Sequence, residues 1–295
     1  MNFGQLLTAM VTPFDQDGNI DYQAAKSLID YLIGNGTDAI VVAGTTGESP
    51  TLSKQEKETL FQFVVNTVSG RVPVIAGTGT NCTHESIELT KIAADAGVDA
   101  AMLVTPYYNK PCQEGLYMHF KTIAETTHLP IMLYNIPGRS VVNMLPETVI
   151  RLANIDNIVC VKEASGDLEA MATIIENTPE QFSLYSGDDA LTLPILVIGG
   201  QGVVSVSAHV IGNEMKEMIH AFSNGDVKTA SAMHRKLLPI IKTMFIAPSP
   251  TPVKTALNLI GQNVGSVRLP LVPLSETEAQ LIKSVIEPKI YSSAV

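Results

Sequence analysis

Eight short apolar segments recur along the chain at intervals of roughly 20 to 35 residues, and helical patterns separate them. Such segments, bounded by turn residues, are typical of parallel strands buried on both faces. The predicted strands are Leu6–Val11, Ala39–Val42, Val74–Ala76, Ala100–Val104, Ile131–Leu133, Ile158–Val161, Phe182–Tyr185 and Val203–Val206. The predicted helices begin near Asp21, Ser53, Thr83, Gln113, Pro146, Leu168, Asp189 and Val210. Eight such units without a dinucleotide-binding fingerprint favour an α/β fold, a closed (β/α)8 TIM barrel, over an open doubly wound sheet.

Beyond about Gly225 the pattern changes to helices alone. Three helices are predicted there, with prolines in their connections: Lys228–Phe245, Pro252–Ile260 and Glu276–Ile286. About 70 residues are enough to pack on the barrel but too few for a separate enzyme. The sequence therefore predicts a catalytic barrel over residues 1–224 and a C-terminal three-helix domain over residues 225–295.

Several helix ends carry local signals. Ser53 and Glu56 are spaced as a capping box, and Thr83 is expected to precede and cap the third helix. Glycines are expected just past three helix ends, at Gly36, Gly70 and Gly97.

Composition excludes several classes of function. A net charge of −10 argues against binding to nucleic acid or to anionic membranes. Three cysteines without a CxxC pair fit a reducing, cytoplasmic setting, and the N-terminus lacks the features of a signal peptide. The uncharged stretch from Ala190 to Asn213 contains Pro194 and several glycines, so we interpret it as helix, turn and strand rather than a membrane span.

Reactive side chains follow the predicted strands, at the mouth of the predicted barrel. Lys162 stands at the C-terminal end of the sixth strand, directly after Val161. The segments after the other strands are Gly44–Ser49, Thr105–Asn109, Tyr134–Arg139 and Ser186–Asp189, with Gly202–Ser205 on the eighth strand. Because the carboxyl ends of barrel strands meet at one face, these groups should converge. A buried amine loses its proton more readily and attacks a ketone, and a nearby tyrosine can move the protons.

Each group taken alone has a structural interpretation. Lys162 alone is also consistent with a salt-bridged structural residue, Tyr107 and Tyr108 with surface aromatics, and Arg139 with a weak surface ion pair. Cys160 is interpreted as a small buried hydrophobe. Six histidines show no metal-ligand spacing, so no metal site is predicted: His84, His119, His128, His209, His220 and His234.

Four motifs in order carry a resemblance to a known family. They are GTTGES at Gly44–Ser49, VTPYYNKP at Val104–Pro111, LYNIPGR at Leu133–Arg139 and the lysine strand at Ile158–Gly166. Together they resemble the pyruvate-dependent class I aldolases of the N-acetylneuraminate lyase superfamily, over nearly the whole chain. The YN-x-P-x-R motif that contains Arg139 resembles the corresponding motif of one branch of that superfamily. That branch condenses pyruvate with L-aspartate 4-semialdehyde to 4-hydroxy-tetrahydrodipicolinate, the committed step of the diaminopimelate and lysine pathway.

The resemblance implies a role for each matching residue. Lys162 would form the Schiff base with pyruvate, and Tyr134 would donate and accept protons. Thr45 and Tyr108 would complete the proton relay, with Tyr108 passed into the site of a neighbouring subunit. The substrate-binding positions would be Thr46 for the carboxylate of pyruvate, Val204 and Gly187 beside it, and Arg139 for the carboxylate of the semialdehyde. No metal or organic cofactor would be needed, and the chain would act as a homodimer or homotetramer.

A regulatory site is also implied. In lysine-inhibited members the effector lies near positions matching Ser49, Pro50, Lys54, Lys57, Asn81, Glu85 and Tyr107. Lys54 and Lys57 stand where sensitive relatives often carry histidines. Because added positive charge should repel an ammonium effector, we expect weak lysine feedback.

Two other functions stay open. One is a sister pyruvate-dependent aldolase acting on N-acetylneuraminate or a keto-deoxy sugar acid, which a substrate panel would separate. The other is a non-catalytic barrel that binds a keto acid. A pure binding protein has no need of a reactive amine with a proton relay, which favours the enzyme.

Overall fold

Eight parallel strands close into a barrel in the computed structural model, which describes residues 3–292 and side chains as far as residue 287. The strands are β1 Leu6–Ala9, β2 Ala39–Val42, β3 Val74–Gly77, β4 Ala100–Val104, β5 Ile131–Asn135, β6 Ile158–Glu163, β7 Ser183–Ser186 and β8 Gly202–Ser205. They pair in chain order, and β8 closes on β1 through Leu7 and Val204. The predicted (β/α)8 barrel is confirmed.

Helices surround the barrel and continue beyond it. They are α1 Tyr22–Gly34, α2 Lys54–Val68, α3 Thr83–Asp95, α4 Gln113–Ala124, α5 Pro137–Ser140, α6 Pro146–Leu152, α7 Leu168–Asn177, α8 Thr192–Val197, α9 Ala208–Ser223, α10 Val227–Thr243, α11 Thr251–Leu259 and α12 Glu276–Ser292. Two short 3-10 turns lie at Ser49–Thr51 and Asp189–Leu191. The helix predicted near Asp189 is therefore this turn followed by α8, and the short helix α5 was not predicted.

The capping signals were right at one helix and wrong at another. The N–H of Glu56 donates to Ser53 Oγ (3.2 Å), and the N–H of Ser53 donates to Glu56 Oε2 (2.8 Å), so the capping box is confirmed. Thr83 is the first residue of α3 and caps nothing, because its hydroxyl lies 2.9 Å from His119 Nδ1. The glycines after α1, α2 and α3 have left-handed φ angles of 88°, 72° and 82° as expected: Gly36, Gly70 and Gly97.

The strands at the barrel mouth run further than predicted. β5 continues through Tyr134 and Asn135, and β6 continues through Lys162 and Glu163. Polar side chains ended the predicted strands at Leu133 and Val161, but the parallel register pairs Tyr134 with Lys162. Polar residues at strand ends thus belong to the sheet here, since they face the mouth or its surrounding loops.

The three predicted C-terminal helices are present and share the core of the barrel. Leu237 of α10, Val253 of α11 and Ile282 of α12 lie in one hydrophobic cluster with Phe14 and Leu28. Burial of such apolar side chains stabilises the fold by about 1.5–3 kcal/mol for each. The division into residues 1–224 and 225–295 stays a prediction.

The uncharged stretch from Ala190 to Asn213 is divided among the second 3-10 turn, α8, β8 and the start of α9. Within residues 3–292 no helix combines the length and apolar character that crossing a membrane requires.

Two histidines are buried in the neutral state. His209 of α9 accepts the N–H of Val11 at Nε2 (3.2 Å), and its Nδ1 lies 2.8 Å from the carbonyl oxygen of Val206. The proton therefore resides on Nδ1, and a second proton on Nε2 would oppose the N–H of Val11. Burial lowers the pKa of His209 to about 4, and burial also lowers the pKa of His119 to about 4.

We expect the free energy of unfolding to fall as the pH is lowered from 6.5 to 4. The unfolded chain binds more protons in this interval, because both histidine pKa values are lower in the folded state. The stabilisation is present in full above pH 6.5 and is lost as the pH falls toward 4, by about 3 kcal/mol for each histidine. Urea unfolding between pH 7 and pH 4 measures this decline.

His119→Gln should flatten the decline, because glutamine keeps a polar contact for Thr83 without titrating. His84→Gln is the matched control, since the His84 side chain is exposed and should leave the pH profile unchanged. A wild-type slope in His119→Gln would contradict the assignment of the titration to His119.

Candidate active site

Lys162 and Tyr134 are neighbours at the barrel mouth. The two residues are register partners on β6 and β5, and Lys162 Nζ lies 4.1 Å from the centroid of the Tyr134 ring. Only 5% of Lys162 and 3% of Tyr134 are exposed. Among the described side chains, no carboxylate lies within 4.0 Å of Lys162 Nζ. The salt-bridged interpretation of Lys162 is therefore wrong, and the lysine is available as a buried amine beside a phenol.

Alternation along β6 places Cys160 on the same side of the strand as Lys162, deeper in the barrel. Cys160 packs with Met132, Tyr185 and Val204 in the interior cluster, and burial raises its pKa well above the usual thiol range. Cys160 is thus an unreactive core residue beneath the lysine, which agrees with its interpretation as a small buried hydrophobe.

A cavity of about 240 Å³ opens beside Tyr134, and Lys162 is not among the residues that line it. Thr45, Tyr134 and Arg139 line it, together with Met102, Val104 and Ile136. Three predicted site residues from three different loops or strands therefore face one space. Its walls are apolar with a few polar groups, which is typical of a small-molecule site.

The loop after β2 brings Thr45 and Thr46 to this mouth. The N–H of Glu48 donates to the carbonyl of Thr45 (3.1 Å), and the N–H of Ser49 donates to the carbonyl of Gly44 (3.2 Å). Gly47 packs so closely that an added Cβ would lie 3.1 Å from the backbone of Ala43. Gly47 thus permits the tight turn of this loop, and Thr46 is buried within the turn.

Gly187 lies beside Lys162 and Val204 lies inside the barrel, but neither of them lines this cavity, and Thr46 does not line it either. The N–H of Gly187 donates to the carbonyl of Glu163 (2.7 Å). A Cβ on Gly187 would lie 3.2 Å from Lys162 Cε and 2.7 Å from the side chain of Ala164, so glycine fits this position best. Val204 is buried inside the barrel on β8.

Arg139 lies exposed on the short helix α5, and no described carboxylate forms an ion pair with it. The interpretation of Arg139 as part of a surface ion pair is therefore wrong. An unpaired guanidinium at the rim of a cavity suits a planar, two-pronged contact with a carboxylate.

A buried amide and carboxyl below α5 were missed in the sequence. Asn135 Nδ2 donates to both carboxylate oxygens of Glu163 (3.0 and 3.2 Å) and to Asn143 Oδ1 (2.8 Å), while Asn135 Oδ1 accepts the N–H of Met144 (3.0 Å). Burial raises the pKa of Glu163, and the hydrogen bonds to Asn135 and Ser165 oppose this. This network fixes the segment that carries Arg139. The signal for it was two polar residues directly after Tyr134 and Lys162.

Tyr108 is not brought to Lys162 within one chain. It has a left-handed φ of 73° and is 90% exposed, whereas Tyr107 lines the cavity. Asn81 Nδ2 donates to the carbonyl of Tyr107 (3.1 Å) and fixes the start of this exposed turn.

Four of the seven candidate effector residues line the same cavity: Ser49, Pro50, Lys57 and Tyr107. Lys57 is 8% exposed; burial lowers its pKa, and Glu85 opposes the shift. Lys54 instead pairs with Glu88 (2.8 Å) and does not line the cavity. Of the two predicted cations, the structure therefore places only Lys57 in this space.

A closed (β/α)8 barrel with a buried lysine at the carboxyl end of β6 is the arrangement of a class I aldolase barrel. The chain belongs to the dihydrodipicolinate synthetase family, whose model matches residues 2–289. It is 63% identical over 287 residues to 4-hydroxy-tetrahydrodipicolinate synthase of Bacillus subtilis, covering 97% of this chain and 99% of the relative. It is 58% identical over 295 residues to the enzyme of that name from Oceanobacillus iheyensis, covering 100% of both.

Solved structures agree with this placement. Dihydrodipicolinate synthase from Bacillus anthracis matches with a TM-score of 0.96 and 59% identity, over 97% of this chain and 98% of the other. The enzyme from Cyanidioschyzon merolae, solved with lysine bound, matches with a TM-score of 0.95 and 48% identity, over 97% of both chains.

Proposed function

We propose that the chain condenses pyruvate with L-aspartate 4-semialdehyde to 4-hydroxy-tetrahydrodipicolinate, with Lys162 as the Schiff-base residue. The observation that carries the residue assignment is a buried amine that contacts the Tyr134 ring and has no ion pair with a described carboxylate, while Tyr134 and Arg139 line one cavity. Close relatives named 4-hydroxy-tetrahydrodipicolinate synthase support the reaction.

The first step joins pyruvate to the enzyme. The amine nitrogen of Lys162 attacks the keto carbon of pyruvate, and loss of the keto oxygen as water gives an iminium. Thr46 and the neighbouring backbone hold the carboxylate of pyruvate, while Val204 and Gly187 leave room beside the lysine. The iminium withdraws electrons from the methyl carbon, so a proton leaves it to form an enamine.

Tyr134 is the group that moves these protons. Its ring already contacts the lysine amine, and Thr45 faces the same cavity. Tyr108 of a neighbouring subunit completes the relay, which the exposure of Tyr108 in the single chain supports. The enzyme therefore acts as a homodimer or larger homo-oligomer. Its free cysteines support a reducing, cytoplasmic location.

The second substrate enters with its carboxylate on Arg139. The enamine carbon attacks the aldehyde carbon, whose oxygen takes a proton and becomes the 4-hydroxyl group. The amino group of the former semialdehyde then attacks the iminium carbon and displaces Lys162, which closes the ring. One water is released in the whole sequence, at formation of the first iminium, and the lysine is regenerated.

Borohydride trapping tests this proposal. Reduction in the presence of pyruvate should add one pyruvate-derived group, and peptide mapping should place it on Lys162. Added L-aspartate 4-semialdehyde should compete with trapping, whereas N-acetylmannosamine and sugar-derived aldehydes should not. An adduct that only a sugar aldehyde competes with would favour a sister aldolase, and a folded protein without adduct would favour a keto-acid-binding barrel.

We expect weak feedback by lysine. The effector ammonium would approach the buried Lys57; Glu85 favours the charged form of this lysine, but no described carboxylate lies within 4.0 Å of its amine to offset the repulsion. In a lysine titration, the wild-type enzyme should keep most of its activity at millimolar lysine. Lys57→His should increase the inhibition, and Lys54→His should change it little, because Lys54 lies outside the cavity. Strong inhibition of the wild-type enzyme would refute the hypothesis.

A further inference from the structure

We infer that Glu48 and Lys254 are a positioning pair for the loop that carries Thr45 and Thr46, so that the C-terminal helices help to shape the active site. The inference rests on the proposed function, because Thr45 acts in the proton relay proposed there. Neither Glu48 nor Lys254 lines the cavity that Thr45, Tyr134 and Arg139 share.

The backbone at Glu48 sets the shape of this loop. Glu48 has a left-handed φ of 55°, its N–H donates to the carbonyl of Thr45, and its carbonyl accepts the N–H of Thr51 (3.0 Å). Glycine adopts this conformation with less strain than a residue with a Cβ. The presence of glutamate instead of glycine at this position therefore indicates that the Glu48 side chain makes contacts that offset the backbone strain.

The Glu48 carboxylate contacts the C-terminal segment through both of its oxygens. Its Oε1 lies 2.7 Å from Lys254 Nζ, and its Oε2 accepts the backbone N–H of Arg268 (2.9 Å). Lys254 Nζ also donates to the carbonyl of Ser266 (2.7 Å). The side chains of the pair are only 1% and 2% exposed. A buried ion pair adds little stability over an apolar pair of the same size, but removal of one partner leaves a buried charge uncompensated and disturbs the groups around it.

Arg268 and Phe14 extend this anchor to the far end of the loop. The Phe14 ring lies 4.1 Å from Lys254 Nζ and 4.3 Å from the Arg268 guanidinium carbon. Arg268 donates to the carbonyl of Thr51 (2.9 Å) and to Glu56 Oε2 (3.2 Å) at the start of α2. The segment from Lys254 to Arg268 thus holds the loop on both sides of its 3-10 turn.

Glu48→Gln and Lys254→Met test the assignment in the full-length oligomer. Each should slow deuterium exchange into the methyl group of pyruvate and lower kcat roughly 10- to 100-fold, because a small misplacement of Thr45 disrupts the relay. The borohydride adduct on Lys162 should still form to the wild-type extent at saturating pyruvate. The double variant should recover part of the loss, since it leaves no buried charge without its partner.

Asn258→Ala is the matched control in the same segment. It removes hydrogen bonds to the N–H of Val264 (2.8 Å) and the carbonyl of Gly265 (2.9 Å) without touching Glu48. It should lower Tm but leave the exchange rate within about twofold, because it keeps both partners of the buried ion pair and removes hydrogen bonds that contact neither of them. Wild-type exchange in Glu48→Gln and Lys254→Met, or an equal loss in Asn258→Ala, would overturn the inference. A wild-type enzyme that forms no adduct would instead refute the proposed function.

Discussion

Replacement of Lys162 by methionine is expected to lower kcat/KM roughly 10⁵-fold, about 7 kcal/mol of transition-state stabilisation. Without the amine no iminium forms, and pyruvate in water has a poorly acidic methyl group. Methionine is unbranched and of similar length, so the buried space between Tyr134 and Gly187 stays filled. Steady-state assays with both substrates measure the loss, and intact mass after borohydride reduction should show no adduct.

The same variant should keep or raise Tm. In the folded chain, Lys162 is 5% exposed, its amine contacts the Tyr134 ring, and it has no ion pair with a described carboxylate, so methionine removes the cost of burying a polar group. A gain in stability with a loss of activity is the pattern of a residue retained for chemistry. Lys121→Met, at a half-buried position of α4 whose amine pairs loosely with Glu125 (3.8 Å), is the control and should change neither quantity appreciably. Activity within 100-fold of wild type would exclude Lys162 as the nucleophile.

The barrel was predictable because its signal repeats. Each apolar segment is short, bounded by turn residues, and followed by a helical pattern, so errors in one unit do not change the fold class. Strand ends were not predictable in the same way. Tyr134 and Lys162 are polar or amphipathic, and only the register between β5 and β6 shows that they still belong to strands.

Local motifs predicted part of the site, and long-range contacts supplied the rest. Thr45, Tyr134 and Arg139 face one cavity because each follows or ends a strand of the same barrel, which spacing alone indicated. The contact of Glu48 with Arg268 joins residues 220 positions apart. Neither local sequence specifies the contact between Glu48 and Arg268, because this contact depends on how α10 and α11 pack on the barrel.

Replacement of Arg139 by methionine is expected to impair the reaction with L-aspartate 4-semialdehyde but not the reaction with pyruvate. The kcat/KM for L-aspartate 4-semialdehyde should fall about 10²- to 10³-fold, as expected when a charge-assisted, two-pronged contact with a carboxylate is lost. Trapping of pyruvate on Lys162 should continue at nearly the wild-type rate, because Arg139 lies on α5 at the rim, apart from the lysine. Initial rates at varied semialdehyde and single-turnover trapping measure the two effects independently.

Arg139→Lys decides what kind of contact the carboxylate makes. Lysine keeps the charge but lacks the planar fork, so a bidentate site should recover little of the lost rate, whereas a site that needs only charge should recover most of it. Asn135 and Glu163 hold the backbone below α5 in both variants, so neither replacement should move the cavity wall. Equal losses of pyruvate trapping and semialdehyde turnover would place Arg139 on pyruvate instead. The distinction from sister aldolases would then need another residue, because the amine and the phenol are common to them all.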